Sequence, residues 1–175
     1  MSSARSRSTH PDAVDIIIDQ WKRELPELAS ENMALIGRLR RCSILLAPRL
    51  DEVFAAYELS NGAFDVLATL RRAGAPYILT PTELFASLMV TSGTMTTRLQ
   101  NVQKRGWVER IPNPDDARSM LVKLTGAGRE LVEKVVFEHV ENERRILEKL
   151  PAETRRQLDA GLAELMRVLE DAKKD

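Results

Sequence analysis

Ser92, Thr94, Thr96, Thr97, Arg98, Gln100, Asn101, Gln103, Lys104 and Arg105 crowd hydroxyl, amide and cationic groups into one short segment. These groups suit phosphate oxygens and base edges: hydroxyls and amides exchange hydrogen bonds at short range, and cations neutralise phosphate. Leu99 and Val102, with Met95, fall on the other side of a helix and are placed to hold it to a core. Ser92, Thr94, Thr97, Asn101 and Lys104 are therefore candidates for contact with double-stranded DNA. Asn101 carries the amide geometry that reads adenine bidentately. A solvated surface helix has the same composition, so the segment alone does not choose between the two.

Its surroundings carry more. From Arg98 to Arg129 there are seven basic residues and three acidic ones, in a chain whose formal charge is zero. A basic face on a neutral protein still draws phosphate and makes binding salt-sensitive. Arg118 stands near the tip of a loop-forming sequence and is the first candidate for a phosphate or minor-groove contact. A wing-stabilising pair with Asp116 is its plain structural role, and the two roles are compatible.

Other chemistry has little to stand on. There is no phosphate-binding glycine loop, zinc spacing or nucleophile–base pair. Thr91-Ser92-Gly93 offers hydroxyls without an activator. His10 and His139 make no ligand spacing with Cys42. No enzyme activity, metal or cofactor is expected. The single cysteine excludes an internal disulfide framework and fits a reducing cytoplasm. Beside the apolar run Ile44–Ala47, Cys42 reads as a packed thiol, with a redox switch as the alternative. That run ends at Pro48, far short of a membrane span.

The elements that must position these residues follow from periodicity and caps. Val14, Ile17, Ile18, Trp21 and Leu25 predict a helix over 13–25, after a disordered tail spanning 1–12. A longer helix runs from about Glu31 to Ala47, restarting after Pro48 to about Tyr57. Asn61-Gly62 signals a turn, and Phe64, Val66, Leu67 and Leu70 a short helix. Thr80-Pro81-Thr82-Glu83 is a helix start with a capping box and Pro at the first position, leading to about Met89. A tight turn at Val90–Gly93 then precedes the polar segment, which Gly106 stops. Trp107–Ile111 and Ser119–Leu124 read as strands around a long loop at Pro112–Ala117. Helices to Leu150 and from Pro151 close the chain, with more apolar surface than a small domain needs. A second copy is the natural cover for it.

The expected fold is mainly α with a small β-hairpin wing: a winged helix-turn-helix with N- and C-terminal dimerisation helices. Residues 13–175 form one domain. Within it, 13–60 contribute to dimerisation, 61–124 bind DNA and 125–172 supply the C-terminal dimerisation helices.

Lys104-Arg105-Gly106-Trp107-Val108-Glu109-Arg110, followed by Asp116-Ala117-Arg118-Ser119, Val122-Lys123-Leu124-Thr125 and Gly128, resembles the wing of the MarR family. The likeness runs from about Phe64 to Leu169. It implies a homodimer on duplex, palindromic operator DNA, released by small anions or phenolic compounds. Two departures stand out: the family's wing often has a second Arg after Arg118, and an Arg is common at the position of Asn101.

Asp19-Gln20-Trp21, Phe64–Leu70 and Val90–Gly93 resemble the PecS/HucR-like, urate-responsive branch. Its ligand signature maps onto Trp21, Asp65, Arg98 and Arg110. A planar purine anion such as urate suits an arginine fork, with Trp21 closing one side and Asp65 accepting a ring N–H. Each residue also has a plain reading: Trp21 as a core anchor, Asp65 as a cap or ion-pair partner, Arg98 on phosphate, Arg110 as a brace of the wing. The implied function is a cytoplasmic repressor attenuated by urate or xanthine. The alternatives are a regulator answering to a phenolic or aromatic carboxylate, and a helical scaffold dimer that binds no DNA.

Overall fold

The computed structural model describes residues 11–88 and 95–172, without the side chains of Met95 and Ala117. The expected turn at 90–93, Ser92, Thr94 and residues 1–10 of the expected tail lie outside the described residues. Two compact units divide the chain at Arg49/Leu50 and are taken in turn.

In the first unit, helix α1 (Ala13–Glu24) begins at Asp12, assigned above to the tail. The Asp12 carboxylate accepts from the Val14 and Asp15 N–H groups, and Asp15 reciprocates on the Asp12 N–H. Arg38 of helix α2 (Glu31–Ala55) reaches Asp12 at 2.7 Å and Asp15 at 2.5 Å. This guanidinium and the cap N–H groups hold the Asp12 carboxyl down to about 2. Helix α2 does not restart at Pro48 but continues through it. A proline removes one internal N–H bond, and the rest of this long helix carries the element across that gap. Cys42 is exposed on α2, not packed. It shares that helix with exposed Leu35, Ile36, Ile44 and Leu45.

The second unit encloses the core. Helix α3 (Asn61–Arg72) is its central pillar, with Val66, Leu67 and Leu70 fully buried. Full burial of such side chains contributes about 1.5–3 kcal/mol each. Asn61-Gly62 is not a turn between elements but the opening of α3 itself. The Ser60 hydroxyl accepts from Ala63 N–H and so caps the helix one residue earlier. Strand β1 (Ile78–Leu79) is followed by helix α4 (Pro81–Ser87), whose Thr80/Glu83 capping box forms as expected. Arg72 donates to the Ser87 carbonyl at 2.8 Å, tying α3 to the end of α4.

Helix α5 (Met95–Lys104) buries Leu99 and Val102, the inner face expected of it. Gly106 then takes φ of 72°, a left-handed conformation that suits glycine and ends the helix. Strands β2 (Val108–Asn113) and β3 (Asp116–Leu124) form an antiparallel hairpin, with β1 on the far side of β3. The expected long loop is reduced to Pro114-Asp115, because Asn113 pairs with Asp116 and its side-chain oxygen accepts from Asp115 N–H. The extra length is absorbed by a register shift at Pro112/Asn113. Trp107 packs against the core beside the wing base.

Helix α6 (Gly126–Leu147) is capped by Thr125 and buries Val132 and Val135. His139 packs beside Phe54 and Phe64, with ring centroids 5.0 and 5.2 Å away. Its outer face shows Phe137, Val140 and Leu147. Helix α7 (Ala152–Asp171) buries no residue and exposes Leu158, Leu162, Met166 and Leu169.

Candidate nucleic-acid interface and adjoining cleft

Thr97, Asn101 and Lys104 are exposed and spaced for one face of α5. Leu99 and Val102 on the opposite side bind that helix to the core, so the polar face points outward with a fixed rotation. The C-terminal end of α5 is held twice. Arg105 pairs with Glu58 at 3.2 Å, and its guanidinium lies 5.1 Å from the Trp107 ring centre.

The wing presents Arg118 within the irregular part of β3. The Asp116 carboxylate accepts from the Arg118 backbone N–H at 3.0 Å, while Asn113 donates to the Ser119 hydroxyl at 2.8 Å. Asp116 thus fixes the backbone instead of neutralising the guanidinium. Bulged strands commonly re-aim a side chain in this way. Elsewhere on the basic stretch, Lys123 pairs with Glu109 and Arg129 with Glu133. Among the described residues, Lys104, Arg110 and Arg118 have no acidic partner.

The structure brings Arg98 and Asp65 together. Arg98 Nη1 lies 3.6 Å from Asp65 Oδ2, close enough for an ion pair but too far for a hydrogen bond. Nη1 is buried and finds no acceptor among the described residues. Burial pushes the Asp65 carboxyl above its ordinary value, outweighing the opposing charges of Arg98, Arg72 and His139. The Arg98 side chain lies across the first turn of α3, against Gly62. A cleft of about 440 Å³ opens there, lined by Asp51, Ala55, Leu59, Ser60, Asn61, Gly62 and Arg98. A second, of about 260 Å³, lies between Ser60 and Ala63 of the α3 start and Thr97, Arg98 and Asn101 of α5.

Arg110 is exposed on β2, and Trp21 is 39% exposed on α1 in the first unit, so the core-anchor reading of that tryptophan does not hold within its own unit. Asp51, Ser60, Asn61 and Gly62 were not anticipated as cleft residues. The only sequence signal was Ser60 at capping distance before the Phe64–Leu70 repeat, which places Asn61 and Gly62 on a helix.

A core-anchored polar helix, a helix preceding it and a projecting basic hairpin define a winged-helix DNA-binding protein. Residues 57–119 match the MarR family. The chain is 45% identical to the HTH-type transcriptional regulator PecS of Dickeya dadantii (strain 3937), over 85% of this chain and 90% of that protein. Among solved structures it resembles a MarR-like transcription regulator from Bacillus cereus ATCC 10987. There the TM-score is 0.72 at 26% identity, covering 81% of this chain and 99% of that one. It also resembles a cysteine-to-serine mutant of MarR from E. coli complexed with operator DNA. That match has a TM-score of 0.65 at 29% identity, covering 79% of this chain and 99% of that one. The chain belongs to the MarR family: it is a DNA-binding transcriptional regulator, not an enzyme. No described helix is long and apolar enough to cross a membrane.

Proposed function

We propose that this chain is a cytoplasmic, homodimeric repressor of palindromic operator DNA whose binding is attenuated by a small planar anion, urate or xanthine. The observation that carries the effector reading is the buried Arg98 Nη1, which meets no acceptor among the described residues and lies beside a carboxyl raised by burial. A buried donor left unpaired costs about 1–3 kcal/mol, more when charged. An anionic ligand oxygen supplies the missing acceptor. Arg98 sits on the same helix as Thr97, Asn101 and Lys104, so a ligand that holds Arg98 acts on the DNA-contacting helix itself. If the ligand favours the state that DNA disfavours, linkage makes it a releaser.

Ser92, Thr94, Thr97, Asn101, Lys104 and Arg118 make the DNA contacts in this reading. Trp21 and Arg110 enter the ligand site through the family resemblance. The exposed apolar residues of α1 and α2 in one unit, and of α6 and α7 in the other, support pairing with a second copy. Such a dimer presents two recognition helices about 34 Å apart, one DNA turn.

The test is binding to the promoter DNA beside its own gene at fixed salt, titrated with urate, xanthine and salicylate, for the wild type and Arg98→Ala. Release by a purine, lost in Arg98→Ala, supports the reading. Release by salicylate alone moves the effector to an aromatic carboxylate, and no release by any of the three removes the proposed effector class.

A further inference from the structure

We propose that Gly62 is the positioning residue of this site: its bare α-carbon is the seat of the Arg98 guanidinium, so one absent methyl group sets where α5 presents its arginine. The geometry stands independently; the regulatory consequence rests on the effector reading above.

An ideal Cβ built on Gly62 falls 2.5 Å from Arg98 Nε, 2.6 Å from Cζ and 2.9 Å from Cδ. Those are its three nearest neighbours, and all belong to one side chain. Any other L-residue at this position therefore evicts Arg98. What gives way is the far end of a flexible side chain, so the fold survives and the arginine moves. Gly62 lies in the first turn of α3, without the left-handed φ of Gly74 or Gly106. Its backbone conformation does not call for glycine, and glycine is a poor helix former. The close approach of Arg98 is what the position requires.

Asp65 follows three residues later, on the same face of α3. Arg98 thus rests on a bare backbone with a carboxylate at one end. Neither neighbour satisfies its inward Nη1: the carboxylate is 3.6 Å away and no other acceptor meets it among the described residues. The seat holds the guanidinium in place sterically while its buried Nη1 meets no acceptor among the described residues. Eviction moves the Arg98 side chain, which lines the cleft, without touching Asp65 or the outward face of α5.

The experiment is a thermal-unfolding cycle on the full-length protein: wild type, Gly62→Ala, Arg98→Ala and the double variant. With Arg98 truncated, alanine at 62 meets no guanidinium and its better helix propensity raises Tm by roughly 1–4 °C. With Arg98 present, that gain is absent or reversed. The NMR cross-peak of the Arg98 Nε–Hε group, assigned by its loss in Arg98→Lys, shifts in Gly62→Ala. Equal Tm changes in both backgrounds, or an unmoved Nε signal, overturn the seat. In operator-release titrations, Gly62→Ala needs roughly tenfold more urate or above for half-release, normalised to its own DNA affinity, the loss of about one hydrogen bond to a charged group. A coupled cycle with a wild type insensitive to urate leaves the seat standing and overturns the effector reading. A coupled cycle, a responsive wild type and an equally responsive Gly62→Ala overturn the regulatory role of Gly62.

Discussion

Replacing Arg118 by alanine separates DNA recognition from folding. The residue is exposed, and its backbone is fixed by bonds that do not use its guanidinium: its N–H to Asp116 and the neighbouring Asn113–Ser119 bond. Truncation leaves those bonds in place, so stability should change by no more than about 0.5 kcal/mol. On DNA the loss is larger. Each phosphate neutralised contributes about 0.9 to the slope of log K against log salt, and a dimer has two wings, so the slope should fall by about 1.8. A charged hydrogen bond at the low end of its range contributes about 1.5 kcal/mol; two of them correspond to roughly a hundredfold in Kd. The assay is fluorescence anisotropy on labelled operator DNA between about 50 and 200 mM salt, with thermal melts alongside. Arg118→Lys should keep most of the slope if phosphate is the partner and lose affinity on A·T-rich sites if the minor groove is. An unchanged slope in Arg118→Ala, at unchanged Tm, refutes the assignment of the wing.

Arg98→Ala removes the largest opposing charge on Asp65, so the Asp65 carboxyl should titrate still higher by carboxyl ¹³C NMR. Because its folded value is already raised, its contribution to stability is present below the ordinary 3.8 and lost as pH rises through the raised value. Asp65→Asn should flatten that part of the pH–stability curve in urea titrations. Asp12 behaves oppositely: its contribution is present above 3.8 and lost as pH falls towards about 2. Arg38→Ala should raise the Asp12 and Asp15 carboxyls in the same NMR titration and move the acid loss of α1 helicity, followed by circular dichroism, to higher pH. Trp21→Ala should retain most DNA binding and weaken release by urate; undiminished release would take Trp21 out of the ligand site.

What was legible in the sequence is what local chemistry decides. The Thr80/Glu83 box, the Gly106 stop and the inner face of Leu99 and Val102 depend on residues a turn or so apart, and all three form. Asn61-Gly62 misled because its dipeptide is a common turn, whereas Ser60, one residue earlier, caps a helix. The seat of Arg98 was invisible for a different reason: Gly62 and Arg98 meet only after α3 and α5 pack, and no periodicity encodes the approach. Strand β1 is two residues long and exists by pairing with Val122 and Lys123, which composition alone does not foretell. The sequence places Arg118 as a charge near a tip; that Asp116 holds its backbone, and that its guanidinium has no acidic partner among the described residues, depends on the register shift beside it.

Direct observation of ligand at the Asp65–Arg98 site decides whether urate acts through Arg98. Urate would be titrated into the protein in the absence of DNA, following the Arg98 Nε–Hε cross-peak, and the same samples scored for operator binding. The expected result is a saturable shift of that signal whose midpoint tracks loss of DNA binding, with DNA release by urate abolished in Arg98→Ala. Release of DNA with the Arg98 signal unmoved would contradict it and place the effector elsewhere on the protein.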